Sequence, residues 1–197
     1  TLHSGLKRAG LTTLTKPPEH YGLGLTLGNC EVRLEELTAA YCAMANLGRY
    51  RPLRCLAGDA STKQNHAGER LFSRGTALAL YAMLEQPLPG SLDPALMRAE
   101  GVPQRVCWKT GTSTGYHDAW TFLFNRQYVV GVWLGNNDGT PSRRLVGAEA
   151  ALPLAARVFQ MLPQQPGPGW PAPRGALRHT AVCAVSRPVP SGTRPMT

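Results

Sequence analysis

The chain has 197 residues, 43% of them hydrophobic and 17% charged, with a formal net charge of +9. That length suffices for one domain with a real core, and the balance excludes wholesale disorder. The longest apolar run, Tyr128 to Leu134, is strand-sized against the roughly 18 residues of a membrane span; no secretory signal opens the chain, so an address outside the cytoplasm is expected upstream of residue 1.

Residues 2–9 read as a short basic helix, broken by Lys16-Pro17-Pro18. A helix over 34–47 follows, with Leu34, Leu37, Tyr41, Met44 and Ala45 on one face and Gly48 as its stop. Residues 49–70 read as extended and loop-like, polar around Ser61 to His66. Ser73 is an N-cap for a second helix ending near residue 84, whose apolar face is Ala77, Leu80, Tyr81 and Leu84. Residues 86–104 are loop-rich, and Asp93-Pro94 opens at most one helical turn.

Three strands are predicted next, over 105–112, 118–124 and 127–134. Asn125-Arg126 is a tight turn that pairs the second and third as an antiparallel hairpin. The third strand is apolar at every position, which requires cover on both faces. A closing helix over 149–162, with Pro153 in its first turn, supplies part of that cover. Residues 163–197 hold eight prolines and four glycines, too many for a packed core. They read as a linker into something further.

The charge is unevenly placed. Arg174, Arg178, Arg187 and Arg194 lie in the last segment with no acid, leaving +5 for residues 1–162. Basic character suits an anionic partner and equally follows from an arginine-rich genome. Lysines and arginines form no stripe interleaved with aromatics, so nucleic acid is not an expected partner. Five cysteines leave at least one unpaired; no C-x-x-C occurs and the five histidines are scattered, so no zinc site is expected. Cys107, inside an apolar strand, reads as a small buried hydrophobe.

The chemistry concentrates in Trp108-Lys109-Thr110-Gly111-Thr112-Ser113-Thr114-Gly115. K-T-G is a mark of penicillin-binding proteins and serine β-lactamases. A peptide ending in a carboxylate needs a fixed cation, which Lys109 supplies, and hydroxyl donors beside it, which Thr110 and Thr112 supply. Gly111 has no β-carbon to keep a substrate backbone away from the strand. By itself the tripeptide also fits a plain strand end with an exposed lysine. The run continues Tyr116-His117-Asp118-Ala119-Trp120 and, after the hairpin, Gly135-Asn136-Asn137-Asp138-Gly139-Thr140-Pro141.

This stretch resembles the transpeptidase domain of bifunctional class A penicillin-binding proteins, and their 1C branch most. Tyr21-Gly22-Leu23, Leu37-Thr38-Ala39-Ala40-Tyr41, Ala45-Asn46-Leu47-Gly48-Arg49-Tyr50 and Gly147-Ala148 through Pro153-Leu154 extend the likeness over residues 9–162. It implies an α+β fold of the serine β-lactamase/transpeptidase type, an antiparallel sheet covered by helices on both faces. Residues 1–162 would be the C-terminal portion of that domain, and 163–197 a linker or the truncated start of another.

Acyl transfer in this family uses an S-x-x-K nucleophile, an S-x-N relay and K-T-G around one cleft. The resemblance makes Lys109 and Thr112 catalytic, Thr112 as an oxyanion donor through its main chain. Thr110, Gly111, Ser113 and Thr114 would bind substrate. Ser4-Gly5-Leu6-Lys7 matches S-x-x-K by letter, but lies too near Lys109 in sequence with no S-x-N between. The nucleophile is therefore expected upstream. Asp118 either positions Lys109 or a substrate amide, or caps a turn; Trp120 is a core residue; Tyr116 and His117 touch substrate or sit in a solvated loop. Implied partners are peptidoglycan stem peptides and β-lactams, with no metal or organic cofactor, on the periplasmic side of an inner membrane reached through an upstream anchor. The alternative is a non-catalytic module of the same fold that binds peptidoglycan or a partner. A β-lactamase or carboxypeptidase shares K-T-G, but not the sequence after Gly115.

Overall fold

The structure is a computed structural model and describes residues 1–54, 68–88, 98–99, 102–103, 106–163 and 170–171. Asp93-Pro94, the polar run Ser61 to His66, and Cys55 and Cys183 lie outside the described residues.

Helix α1 spans Leu2–Arg8, and a short helix α2, Pro18–Tyr21, opens on the proline pair and runs into a 3₁₀ turn, Gly22–Leu27. Ala9, Leu11, Leu14 and Leu25 form a small core beneath them. Helix α3 spans Leu34–Ala45. It is capped by Asn46, two residues before the expected stop at Gly48. Gly48 follows with φ +86°, and a β-carbon there would stand 2.3 Å from the Phe72 carbonyl oxygen, so only glycine fits. Strands β1 (Arg49–Tyr50) and β2 (Glu69–Arg70) pair antiparallel. Helix α4, Arg74–Leu84, starts on Ser73, whose side chain accepts from the Thr76 amide. Strands β3 (Arg98–Ala99) and β4 (Val102–Pro103) form a small antiparallel pair inside a segment expected to be loop.

The main sheet is β5 (Cys107–Thr112), β6 (Asp118–Phe124) and β7 (Val129–Gly135), antiparallel in that order. The β6–β7 turn is longer than expected. Register pairs Phe124 with Val129, because Asn125 folds residues 125–128 into a four-residue loop. Its Oδ1 accepts from the Gln127 and Tyr128 amides at 2.8 Å, a side-chain mimic of a turn. A single π-helical turn, Gly147–Ala151, leads into α5, Leu152–Met161.

Side chains of β6 alternate between two cores, as the strand period demands. Ala119 and Leu123, with Val130 and Val132 of β7, meet Leu152, Ala155, Ala156 and Phe159 of α5. On the other face Tyr41 of α3 stacks on Phe122, with ring centroids 4.2 Å apart. Phe124 and Cys107 pack there with Ala77, Leu78 and Tyr81 of α4. Helices thus cover both faces, as expected for β7.

β7 ends the strand order, so among the described residues its outer edge has no strand partner, while helices cover its two faces. On α3, Ala39 and Ala43 are buried, while Leu34, Leu37, Tyr41, Met44 and Ala45 are half-buried. Tyr41, Met44 and Ala45 of the expected face nevertheless pack against the core of Ala77, Leu78, Tyr81, Cys107 and Phe124. The helix also lies close to β7: a β-carbon on Gly131 would stand 2.5 Å from Thr38 Oγ1, an approach that only glycine allows.

The proline-rich segment is not wholly detached. Trp170 stacks on Tyr81 at 3.7 Å between ring centroids and meets Phe124 edge-on at 6.3 Å. Burial pushes the Tyr81 hydroxyl up to about 12, and it donates to the Met44 carbonyl. Among the described residues, no helix is long and apolar enough to cross a membrane.

Candidate functional site

The Lys109–Thr112 segment belongs to β5, the first strand in the order of the main sheet. Across from it on β6 are Phe122, Thr121, Trp120 and Ala119 in register. Its outer edge carries one isolated bridge, Glu85 to Cys107, and the Trp108 indole donates to the Gln86 carbonyl at 3.2 Å. Both contacts sit before Lys109, so from Lys109 onward the edge has no strand partner among the described residues.

Hydrogen-bond parity decides what that edge presents. The Ser113 amide donates to the Asp118 carbonyl at 3.0 Å. Antiparallel bonding alternates, so Gly111 and Lys109 also turn their backbone groups toward β6, while Thr110 and Thr112 turn theirs outward. The Lys109 ammonium agrees: it is exposed and donates to the Thr110 carbonyl at 2.5 Å. Among the described residues Lys109 is in no ion pair. A cation, outward backbone groups and the Thr110 and Thr112 hydroxyls therefore occupy one strand end.

Gly111 is not required by the fold. A β-carbon there would meet only Trp120 Cβ, at an ordinary 3.5 Å. Gly111→Ala is accordingly expected to leave stability within roughly ±0.5 kcal/mol. Melting temperature checks this; a fall of several degrees would show that the fold needs the glycine.

The other expected residues sort by geometry. Thr112 Oγ1 accepts from the Gly147 amide at 3.0 Å. Ser113 Oγ accepts from the amides of His117 at 3.1 Å and Asp118 at 2.8 Å, so it braces the β5–β6 turn. Thr114 is exposed at the tip. Gly115 and Tyr116 take φ of +82° and +63°, and the exposed Tyr116 carbonyl accepts from the Ser142 amide at 2.9 Å. His117 Nδ1 donates to the Gly139 carbonyl at 2.7 Å. Residues 113–117 and the 136–146 loop are thereby joined into one rim, a link that local sequence patterns do not carry. Asp138 braces the second loop through the Thr140 amide and hydroxyl, and these bonds hold its carboxyl below the usual carboxylate range.

Asp118 Oδ1 accepts from the Trp133 indole at 2.8 Å, tying β6 to β7, a contact that neither sequence reading of Asp118 included. Trp120 is half-buried, its ring centroid 6.1 Å from that of Phe122 and 6.3 Å from that of Trp133. Ser4 lies exposed in the capping box of α1, where its hydroxyl donates to the Thr1 carbonyl at 2.9 Å. No group of three or more His, Cys, Asp or Glu side chains among the described residues could hold a metal ion.

The fold and this strand end define an α+β domain of the serine β-lactamase/transpeptidase type. No family model matches the chain. It is 33% identical over 192 residues to penicillin-binding protein 1C of Escherichia coli (strain K12), covering 95% of this chain and 23% of that protein. It is 30% identical over 155 residues to penicillin-binding protein 1A of Aquifex aeolicus (strain VF5), covering 75% of this chain and 20% of that protein. Among solved structures, penicillin-binding protein 1A from Haemophilus influenzae superimposes with a TM-score of 0.60 at 18% identity, over 86% of this chain and 32% of that one. The chain belongs to the penicillin-binding proteins, and spans about a quarter or less of the length of these two sequence relatives.

Proposed function

We propose that this chain forms the K-T-G wall of a serine D,D-transpeptidase that cross-links peptidoglycan stem peptides and is acylated by penicillins. One observation carries the reading: Lys109 is an exposed cation beside outward-facing backbone of Thr110 and Thr112, on a strand edge with no strand partner among the described residues. An extended peptide ending in a carboxylate can add to such an edge by main-chain hydrogen bonds. Lys109 and the threonine hydroxyls would hold the carboxylate, and the Thr112 amide would donate to the oxyanion as the tetrahedral intermediate forms.

In this reading a serine oxygen attacks the carbonyl of the penultimate D-alanine, and the last alanine departs as an amine after taking a proton. An amine of a neighbouring strand then takes the acyl group and frees the serine. We infer that this serine is not Ser4, whose hydroxyl serves a helix cap, but one contributed by another part of the transpeptidase domain. Residues 1–162 are proposed as the C-terminal portion of the penicillin-binding domain and 163–197 as a junction, held at Trp170, into a following part. The same reading places the site on the periplasmic side of the inner membrane and needs no cofactor.

Labelled penicillin tests this directly. The 197-residue chain is expected to take no covalent label, and the whole protein to take one equivalent at a serine outside it. Stoichiometric labelling of Ser4 would overturn the assignment. A whole protein that takes no label would instead favour a non-catalytic module of the same fold.

A further inference from the structure

Three contacts converge on Gly147, the first residue of the π-helical turn. Its amide donates to Thr112 Oγ1 at 3.0 Å. Its carbonyl accepts from Thr121 Oγ1 at 3.2 Å, and Thr121 is fully buried. A β-carbon on it would lie 2.5 Å from the Gly111 carbonyl oxygen, 2.8 Å from that of Trp120 and 3.1 Å from the Gly111 amide nitrogen. The α5 segment is therefore bolted to the β5–β6 ladder at the point where the K-T-G run ends, and only a residue without a side chain fits.

We propose that Gly147 is a positioning residue that aims the Thr112 hydroxyl proton at the carboxylate of a bound ligand. The proposal rests on the transpeptidase reading and deepens it. A hydroxyl has one proton to give and two lone pairs. An amide N–H only donates, so it engages one lone pair of Thr112 Oγ1 and fixes which way the remaining positions face. Thr112 is exposed, and its proton has no acceptor among the described residues. With the rotor held, that proton points out of the ladder on the strand that also carries the Lys109 cation. An unheld hydroxyl would rotate freely before binding and would be ordered on binding only at an entropic cost.

The test compares acylation of the whole protein by a penicillin bearing its free carboxylate and by the methyl ester of the same penicillin. The readout is the ratio of the two second-order rates, which a general loss of folded protein does not move. Thr112→Val is expected to lower the preference for the carboxylate roughly ten- to hundredfold, the size of a lost hydrogen bond to a charged group. Gly147→Ala is expected to lower it comparably and to add little in the double variant. Thr112→Ser, which keeps the hydroxyl, retains most of the preference.

If Gly147→Ala fails to fold, hydrogen exchange at the Gly147 amide carries the test. Exchange is slow in the parent and in Thr112→Ser, and speeds by at least roughly tenfold in Thr112→Val as its acceptor disappears. An unchanged preference in folded Gly147→Ala, or unchanged Gly147 exchange in Thr112→Val, overturns the positioning role. Failure of the parent to react with either penicillin overturns the transpeptidase reading and, with it, the role assigned to Thr112.

Discussion

Lys109→Ala is expected to slow penicillin acylation of the whole protein by roughly 10²–10³, a barrier increase of about 3–4 kcal/mol. The argument is one of charge and exposure. A stem peptide and a penicillin both carry a carboxylate near the reacting carbonyl, and Lys109 is an exposed cation at that strand end with no carboxylate partner among the described residues. Its ammonium rests only on the neighbouring Thr110 carbonyl, so little is lost from the fold when it goes. Stability should change by no more than roughly 0.5 kcal/mol, or about 1–2 °C for a chain this size. The check is the second-order acylation rate beside the melting temperature. A preserved rate would reduce Lys109 to a surface residue, and a large fall in melting temperature would make its role structural.

Phe124→Ala is expected to cost about 3–5 kcal/mol of stability in the 197-residue chain. Phe124 is fully buried at the end of β6, between Cys107 of β5 and Val129 of β7 in register. Its ring meets Tyr41 of α3 at 5.9 Å, Tyr81 of α4 at 6.5 Å and Trp170 at 6.3 Å, each edge-on. Three separate segments thus share one side chain, and a cavity there cannot close without moving all of them. Equilibrium denaturation measures the loss, and the emission of Trp170 should shift toward that of a solvated indole as its packing loosens. A loss below about 1 kcal/mol would mean that this junction does not hold α3 and α4 to the sheet.

Several elements were legible from local pattern. The Ser73 cap, the hairpin around Asn125-Arg126 and the all-apolar third strand each follow from rules that act within a few residues. The full burial of Ala39 and Ala43 beside the expected face of α3 was not, because hydrophobic periodicity weighs large side chains. Trp170 was read as part of a linker because its neighbours are prolines and glycines. Its partner, Tyr81, is far away in sequence.

The candidate site divides the same way. By itself the sequence determined the K-T-G run, the strand that carries it, the hairpin after it and the resemblance built on those residues, because strand period, turn chemistry and motif spacing are all short-range. Tertiary structure alone decided that the β5 edge from Lys109 onward has no strand partner among the described residues, with Thr110 and Thr112 facing outward, and that Asp118 serves the Trp133 indole. It also decided that Gly147 grips Thr112 from 35 residues away. Those outcomes depend on which segments meet in space, and a close approach between distant backbones leaves no periodic trace along the chain.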